Sequence, residues 1–537
     1  MAHEAEKTGI KAQDVMDAAE LLRTKRTNFE SVWKRSADIT FPRMNVFNNP
    51  QTDSNQNAKV KTIVYSRPMI ALTRFATGYN SMLTPSNSKW HDIGLTNKDL
   101  EKEEGVGDWL IEGRSTLFRE RYSGESGFAG QQFEKYMSLG LFGTGVLAIN
   151  PNPNGGIMYK THHLAEHFLS ENHNGRIDID YHVFKLTGRQ ALERYGDRMS
   201  DKTHRLATKN VGDLFDFIHL VKPNPDFDPR SLLSQKKKFI SIHVDVAGKN
   251  IMIVTGFNTF PYAISRYVTI PNDVYGTGPT QLVLPDIQMA NEMTRTGLVS
   301  KKLRGLPPVL AKNDGIVAPT GDGKISAGKI IKGGLDAQGN PNLKPYLAGT
   351  DPVTIDNEIQ RSSDIIDDAF LVAIFQILTD SKRMTATEVL ERLEEKADLL
   401  APLMGREQTE SLSPQVEREI DILSEQGRYP ALPDALADIE DAAFDIVYTS
   451  PLSQAQKAKE ALGVIRTAAT AVDFAQADPN VLKRVDFDKA IQIVNDSNVG
   501  NSQIMRSDEA VAQMIQSEAL AQAAAFAAQV GTGGEQQ

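Results

Sequence analysis

The 537-residue sequence holds ten histidines, and five of them, His162, His163, His167, His173 and His182, fall in one short stretch. Imidazole nitrogens bind zinc-class ions, but a site needs three or four converging donors. The local string THHLAEHF lacks the H-E-x-x-H spacing that puts two histidines and a general base on one helical face. The preferred reading is therefore ordinary core or surface histidines, with a metal-dependent hydrolase as the enzymatic alternative and no metal ligand assigned. Glycine-rich strings invite a phosphate reading. GLFGTGV (140–146) and YGTGPT (275–280) are the candidates, yet neither sits in a strand–loop–helix with a following acid. Gly323–Lys324 and Gly328–Lys329 each precede isoleucine, so the Ser or Thr of a P-loop is missing. These glycines read as turns. In Gly124–Glu125–Ser126–Gly127 the second glycine comes one place too early for a nucleophile elbow. Cysteine is absent, which excludes disulfides, thiolate metal sites and a cysteine nucleophile. No catalytic residue and no cofactor is assigned, and the chain is read as a non-enzyme.

The composition is that of a globular chain, 40% apolar and 24% charged, with net charge −10. That balance excludes a uniform basic coat for nucleic acid, though not a local basic patch. No apolar run approaches a membrane span, and the charged N-terminus MAHEAEKTGIKAQD has no apolar signal core. The chain is expected to be a soluble product of the cytosol.

The elements that must position any site follow from period. Val15, Ala18, Ala19, Leu22, Phe29 and Trp33 recur at helical spacing until Phe41–Pro42. Further helices are predicted at about 67–83, 99–122 and 127–142. From 144 to 275 short β-branched and aromatic runs, among them RIDIDYHVFKL, FDFIHLV and KFISIHVDV, alternate with Asn, Gly, Pro and Asp clusters. That is the signature of an antiparallel sheet, with one helix near 185–200 inside it. The fold class predicted is α+β, mainly α.

Residues 276–304 read as a helix begun or kinked at Pro285. The next 48 residues, 305–352, hold 9 glycines and 6 prolines, too irregular for a helix and too apolar for a free linker. A second helix over 353–378 puts Ile355, Ile359, Ile366, Phe370, Ile374 and Ile377 on one face. The first helix is basic, with Arg295, Lys301, Lys302 and Arg304. The second is acidic, with Asp356, Glu358, Asp364, Asp367 and Asp368. Two such helices neutralise each other if they pack side by side. Repeated in a ring, they would also wall a channel in which a polyanion makes few contacts, because each phosphate contact adds counterion-release affinity. After a break at TDSKRM (379–384), Thr385 and Glu388 have capping-box spacing for another helix, with Pro402 and Ser413–Pro414 expected to kink or restart it. A turn and strand-like segment follow at 428–450, then alanine-rich helices from 451.

This order of features resembles the portal, or head-to-tail connecting, proteins of short-tailed bacteriophages. The strings that carry the resemblance are YNSMLTPSNSKWHDIGL (79–95), GLFGTGVLAI (140–149), YGTGPTQLVLPDIQMANEM (275–293), KLRGLPPVL (302–310) and RMTATEVLERLEEKADLLAPLMGREQTESLSPQVER (383–418). The third and last are the most specific, and together the strings span roughly 10–450. The resemblance implies a ring, a homododecamer, around a central DNA channel at one capsid vertex. It implies a wing over 1–275, stem helices at 276–304 and 353–378, and a clip at 305–352. A tunnel loop at 379–385, a long kinked helix returning to the wing at 386–450, and a helical crown with a loose tail at 451–537 complete the division.

On that resemblance, Arg295, Lys301, Lys302, Arg304, Asp364 and Asp368 face the DNA channel. Gln376, Thr379, Asp380, Ser381, Lys382 and Arg383 line or support its constriction. The partners implied are further copies of the chain, double-stranded DNA, a terminase motor, a tail adaptor, major capsid and scaffolding proteins, and internal core or ejection proteins, with no membrane. The location implied is the virion's portal vertex after synthesis in the bacterial cytoplasm. A capsid shell subunit is the structural alternative.

Overall fold

The computed structural model describes residues 10–47, 63–97, 100–103, 105–231, 233–305, 309–311, 330–332, 335–340, 352–377, 400–437, 444–449, 451–475, 484–487, 489–491, 494 and 514. The chain divides into two units. One is Met1–Thr385 with Leu399–Val447, and the other is Ala386–Asp398 with Tyr448–Gln537. Among the described residues no helix is long and apolar enough to cross a membrane.

The first unit mixes helices and antiparallel sheets. Helix α1, Ala12–Thr40, ends where Phe41 and Pro42 stop the helical pattern. Its Val15 and Ala19 are buried against a sheet face made by Ile218, Leu220, Ile240, Ile242 and Val244. Helix α2, Arg67–Leu83, has Pro68 in its first turn, where the missing N–H costs no hydrogen bond. Strand β1 is His91–Leu95, followed by α3, Val106–Arg121, and α4, Phe128–Phe142. Strands β2, Thr144–Pro151, and β3, Ile157–His162, form a hairpin. Then come β4, His167–Glu171, and β5, Ile177–Thr187. Helix α5, Gly188–Tyr195, starts with a Thr187–Gln190 capping box, and α6, Asp201–Lys209, is capped by Ser200. Strands β6, Leu214–Pro223, β7, Phe239–Asp245, β8, Asn250–Phe257, and β9, Tyr262–Arg266, complete the region. The order β4-β5-β6-β7-β8 makes a five-stranded antiparallel meander, and β3-β2-β9 a separate three-stranded sheet.

The two glycine strings meet here, as turns rather than a phosphate cradle. Gly143 closes α4 at φ 75°. A Cβ on it would collide with the carbonyl of Gly276 and the amide of Gly278, and one on Gly276 would strike the carbonyl of Gly143. The contact is bonded on both sides. Tyr267 N–H donates to Gly143 O at 3.0 Å, and Thr280 Oγ1 to Gly140 O at 2.9 Å.

A single turn, Pro279–Leu282, leads into α7, Leu284–Gly305, with Pro285 in its first turn. Short strands β10, Val309–Ala311, and β11, Ile330–Lys332, pair in parallel within the Gly/Pro-rich insert. Helix α8, Pro352–Ala369, then returns. The single helix predicted over 353–378 is in fact two. Leu371 adopts φ 57°, and α9, Val372–Ile377, sets off afresh. A straight helix would have pointed its apolar end all round. The break instead buries Phe370, Val372 and Phe375, with Phe75 of α2 against both phenyl rings.

The chain is helical again from Leu400, passes through a π-helical segment, Gln408–Leu412, and continues as α10, Ser413–Glu425. The irregularity is thus an extra residue in the turn before Ser413, a widening rather than a break. Buried charge ties this segment to the sheet side. Arg121 of α3 and Glu419 are both fully buried and paired through Nε and Oε2 at 3.0 Å, and Tyr159 OH donates to the same carboxylate at 2.7 Å. Lys135 of α4 donates to Glu407 at 2.9 Å and to Ser411 at 2.6 Å. Arg266 Nε of β9 donates to Glu410 at 2.8 Å. Strand β12, Phe444–Tyr448, pairs with β1. The second unit contributes α11, Pro451–Ala475, whose Val464, Ile465, Ala468 and Val472 line an apolar pocket with Phe487 and Ile491.

Candidate functional site

The α7–α8 pair is held by its base. Ile287 and Ala290 near the start of α7 are fully buried, as are Ile366 and Phe370 at the end of α8 and just beyond it. The two helices therefore run in opposite directions from a common anchor. Asn291 Oδ1 accepts from the backbone amides of Val64 and Tyr65 at 3.0 and 3.2 Å. Tyr65 OH and Ser363 Oγ are 2.6 Å apart, and Arg67 Nε donates to Asp367 at 2.9 Å. Asp367, one of the acids of the expected acidic helix, is thus spent on this clamp.

Farther from the base the charge is exposed. Lys301 reaches Asp356 at 2.9 Å with both side chains about half exposed (56% and 52%). Arg295 lies 3.8 Å from Glu292 on its own helix. Lys302, Asp364 and Asp368 are exposed, and Gln360 donates to Asp364 at 2.9 Å. Part of the basic–acidic pattern is therefore mutual neutralisation between the helices. Arg304 lies in α7 and Gln376 in α9. Thr379, Asp380, Ser381, Lys382 and Arg383 lie outside the described residues, as does the predicted capping box at Thr385. The hairpin also exposes Leu298 and Val299, each more than half accessible, with Met289 and Ile365 somewhat less so.

The histidines show a different pattern. His162, His167 and His182 converge, each offering a nitrogen within 4.8 Å of the others. His163 turns away, its Nε2 2.8 Å from Met44 O, and His173 is exposed. Strand register extends the cluster. His167 lies opposite His182, His182 opposite His219, and His219 opposite His243, so four strands place four imidazoles in one row. His219 contacts Tyr262 OH at 2.9 Å and Ser241 Oγ at 2.8 Å, while His243 contacts Tyr195 OH at 3.1 Å. Burial pushes all of these rings well below their usual range, His167 and His243 to about 3. They are neutral at physiological pH. Fully buried Asp180 sits 2.9 Å from His167 Nδ1, and burial drives its carboxyl up. Glu166, 3.2 Å from His182 Nε2, is pushed to about 7 by burial.

His219, His243 and Asp180 escape a reading by local spacing. The signal existed in the strand-like runs FDFIHLV and KFISIHVDV, each with a central histidine, but only register puts them opposite one another.

The sequence profile described as bacteriophage head to tail connecting protein matches residues 12–504. The portal protein of Salmonella phage epsilon15 is 25% identical over 530 residues, covering 94% of this chain and 92% of that protein. The probable portal protein of Bordetella phage BPP-1 is 24% identical over 487 residues, covering 87% and 84%. Among solved structures, a chain of the virion of a native gene transfer agent particle aligns with 75% of this chain and 86% of its own length. It does so at 12% identity and a TM-score of 0.31. With the profile spanning nearly the whole sequence, the chain belongs to the bacteriophage head to tail connecting proteins, virion proteins of the portal type.

Proposed function

We propose that copies of this chain close into a ring, with twelve as the expected number, that conducts DNA through one vertex of the capsid. In this reading α7 and α8 are the stem and the 305–352 insert is the clip that meets first the terminase motor and later the tail adaptor. Residues 379–385 form the tunnel loop, residues 1–275 the wing, residues 386–450 a long kinked helix that returns to the wing, and residues 451–537 the crown with its loose tail. The ring contacts capsid and scaffolding proteins, guides DNA inward, resists its escape, and opens for ejection. The work is mechanical. No catalytic role is assigned to this chain, and the motor's nucleotide hydrolysis belongs to another protein.

The observation that carries this reading is the family match from residue 12 to residue 504, with the base of the hairpin embedded in the sheet-bearing unit. Two features of the hairpin support it. Leu298 and Val299 lie exposed on a helix that a neighbouring copy would cover. Arg295, Lys301 and Lys302 stay in the solvated part of the hairpin, where phosphate contacts remain weak and reversible. Negative-stain imaging of the purified protein tests the ring. Closed annuli with a hole wide enough for a duplex are expected. Monomers at all concentrations, or hexamers and pentamers that tile into shells, would reject it. Within the ring, Lys301→Glu with Lys302→Glu should leave annuli intact yet impair DNA packaging or retention.

A further inference from the structure

We propose that His162, His167 and His182 form a structural site for one zinc-class transition-metal ion, with Glu166 as the fourth donor, which staples the two sheets together. His162 ends β3 of the three-stranded sheet, whereas His167 and His182 belong to the five-stranded sheet. An ion held by all three ties the end of β3 to the paired strands β4 and β5 across the short turn Leu164–Glu166.

The distances are close to what coordination needs. His162 Nδ1 and His167 Nε2 face each other at 3.0 Å, and His182 Nε2 and Glu166 Oε2 at 3.2 Å. Donors at about 2.0–2.1 Å around a tetrahedral ion stand roughly 3.3 Å apart. The first two donors need separate by only a few tenths of an ångström. The three imidazole donors lie within 4.8 Å of one another, so His182 must move inward, and Glu166, which touches His182 but stands outside that set, must follow it. His167 and His182 now stack at 5° between ring planes, so one ring must also turn to aim its lone pair.

The surroundings are those of a metal-binding histidine. Asp180 Oδ2, 2.9 Å from His167 Nδ1, fixes which nitrogen carries the proton and leaves Nε2 as the donor atom. The turn between His162 and His167 is clamped from α1 by buried Arg26, which donates to Leu164 O and Ala165 O at 2.9 Å and to His167 O at 2.6 Å.

Charge supplies an independent argument. Asp180 is fully buried, and its Oδ1 is without a hydrogen-bond partner. Glu166 is largely buried against His182 in the same cluster. A divalent ion among three neutral imidazoles would be balanced by these two carboxylates, giving a neutral interior. With four protein donors the ion keeps no open coordination position, so the site is structural, not catalytic.

The test uses the full-length protein without a polyhistidine tag, purified with chelator, dialysed metal-free, and titrated with Zn2+ and with Co2+. One equivalent of zinc per chain is expected, with tetrahedral Co2+ absorption bands and a rise in melting temperature that EDTA reverses. His162→Gln and His182→Gln should each weaken binding at least tenfold, and Asp180→Asn by roughly 10–100-fold. His173→Gln and His204→Gln should leave it unchanged. His162 is partly exposed, so its variant keeps the test open should His182→Gln fail to fold. No stoichiometric uptake by the wild-type protein, or uptake of undiminished affinity in His162→Gln, would overturn the assignment.

Discussion

Charged residues occupy two regions of this chain in opposite ways. Where the 400–425 segment lies against α3, α4 and β9, the charges are sealed in. Arg121 and Glu419 have no solvent exposure, and Lys135 and Glu407 almost none. On α7 and α8 they stand in water, Lys301 and Asp356 more than half exposed. The same pairing of opposite charges therefore does different work. A buried pair stabilises little relative to apolar packing, but removing one member strands the other in a low-dielectric interior. Such pairs specify which surface the helix seats on. An exposed pair costs little to rearrange and can exchange its partner for a phosphate.

Breaking the buried side should have the largest effect. Glu419→Ala orphans Arg121 and removes the acceptor of Tyr159 and Gln415, so a loss of about 3–5 kcal/mol is expected in chemical denaturation. The double variant Arg121→Leu with Glu419→Leu should recover part of it. If the single variant melts like wild type, the pair is not the clamp described. Gly143→Ala comes next. Its left-handed φ and its contact with Gly276 and Gly278 leave no room for a methyl group, and a loss of at least about 1–3 kcal/mol should appear in the same assay.

Acid should act through a third route. Buried His162, His163, His167, His182, His219 and His243 are all held below the ordinary imidazole range by desolvation. The unfolded chain therefore binds more protons from about pH 6.5 downward, to about pH 3 for His167. Stability from these groups is present above 6.5 and is lost as pH falls through that window. Glu166, Asp178, Asp180 and Glu417, whose carboxyls burial raises, work in the opposite sense, but with His91 included seven depressed rings outnumber these four carboxyls. Melting temperature of the metal-free protein should fall steadily from pH 7 to pH 4, and His219→Gln should flatten the profile. The smallest stability effect belongs to the exposed region. Lys301→Glu with Lys302→Glu should shift folding stability by no more than about 1 kcal/mol, even where it impairs the proposed DNA handling. A large melting shift in that variant would erase the distinction between the regions.

Much of the architecture was readable along the chain. The helix limits at Thr40, Leu83 and Phe142 follow from period, Phe–Pro and glycine, and Pro285 marks the start of α7. The break at Leu371 was not readable, because an apolar run of that length is consistent with one buried helix. It took the face of α2, with Phe75 and Tyr79, to favour two short pieces over a straight rod. Likewise, the exposed basic residues of α7 were legible as a charge bias, whereas the use of Asp367 against Arg67 was not.

Local order, then, was settled by residue type and spacing. Helical period, proline stops, left-handed glycines and the absence of cysteine act within a few residues of where they stand. Pairings between distant segments belong to the folded chain alone. Glu419 meets Arg121 across 298 positions, and His219 comes to lie between His182 and His243 only because β5, β6 and β7 pair in one register. Strand register is chosen by the burial of whole sheet faces, a cooperative property that no single stretch of sequence contains.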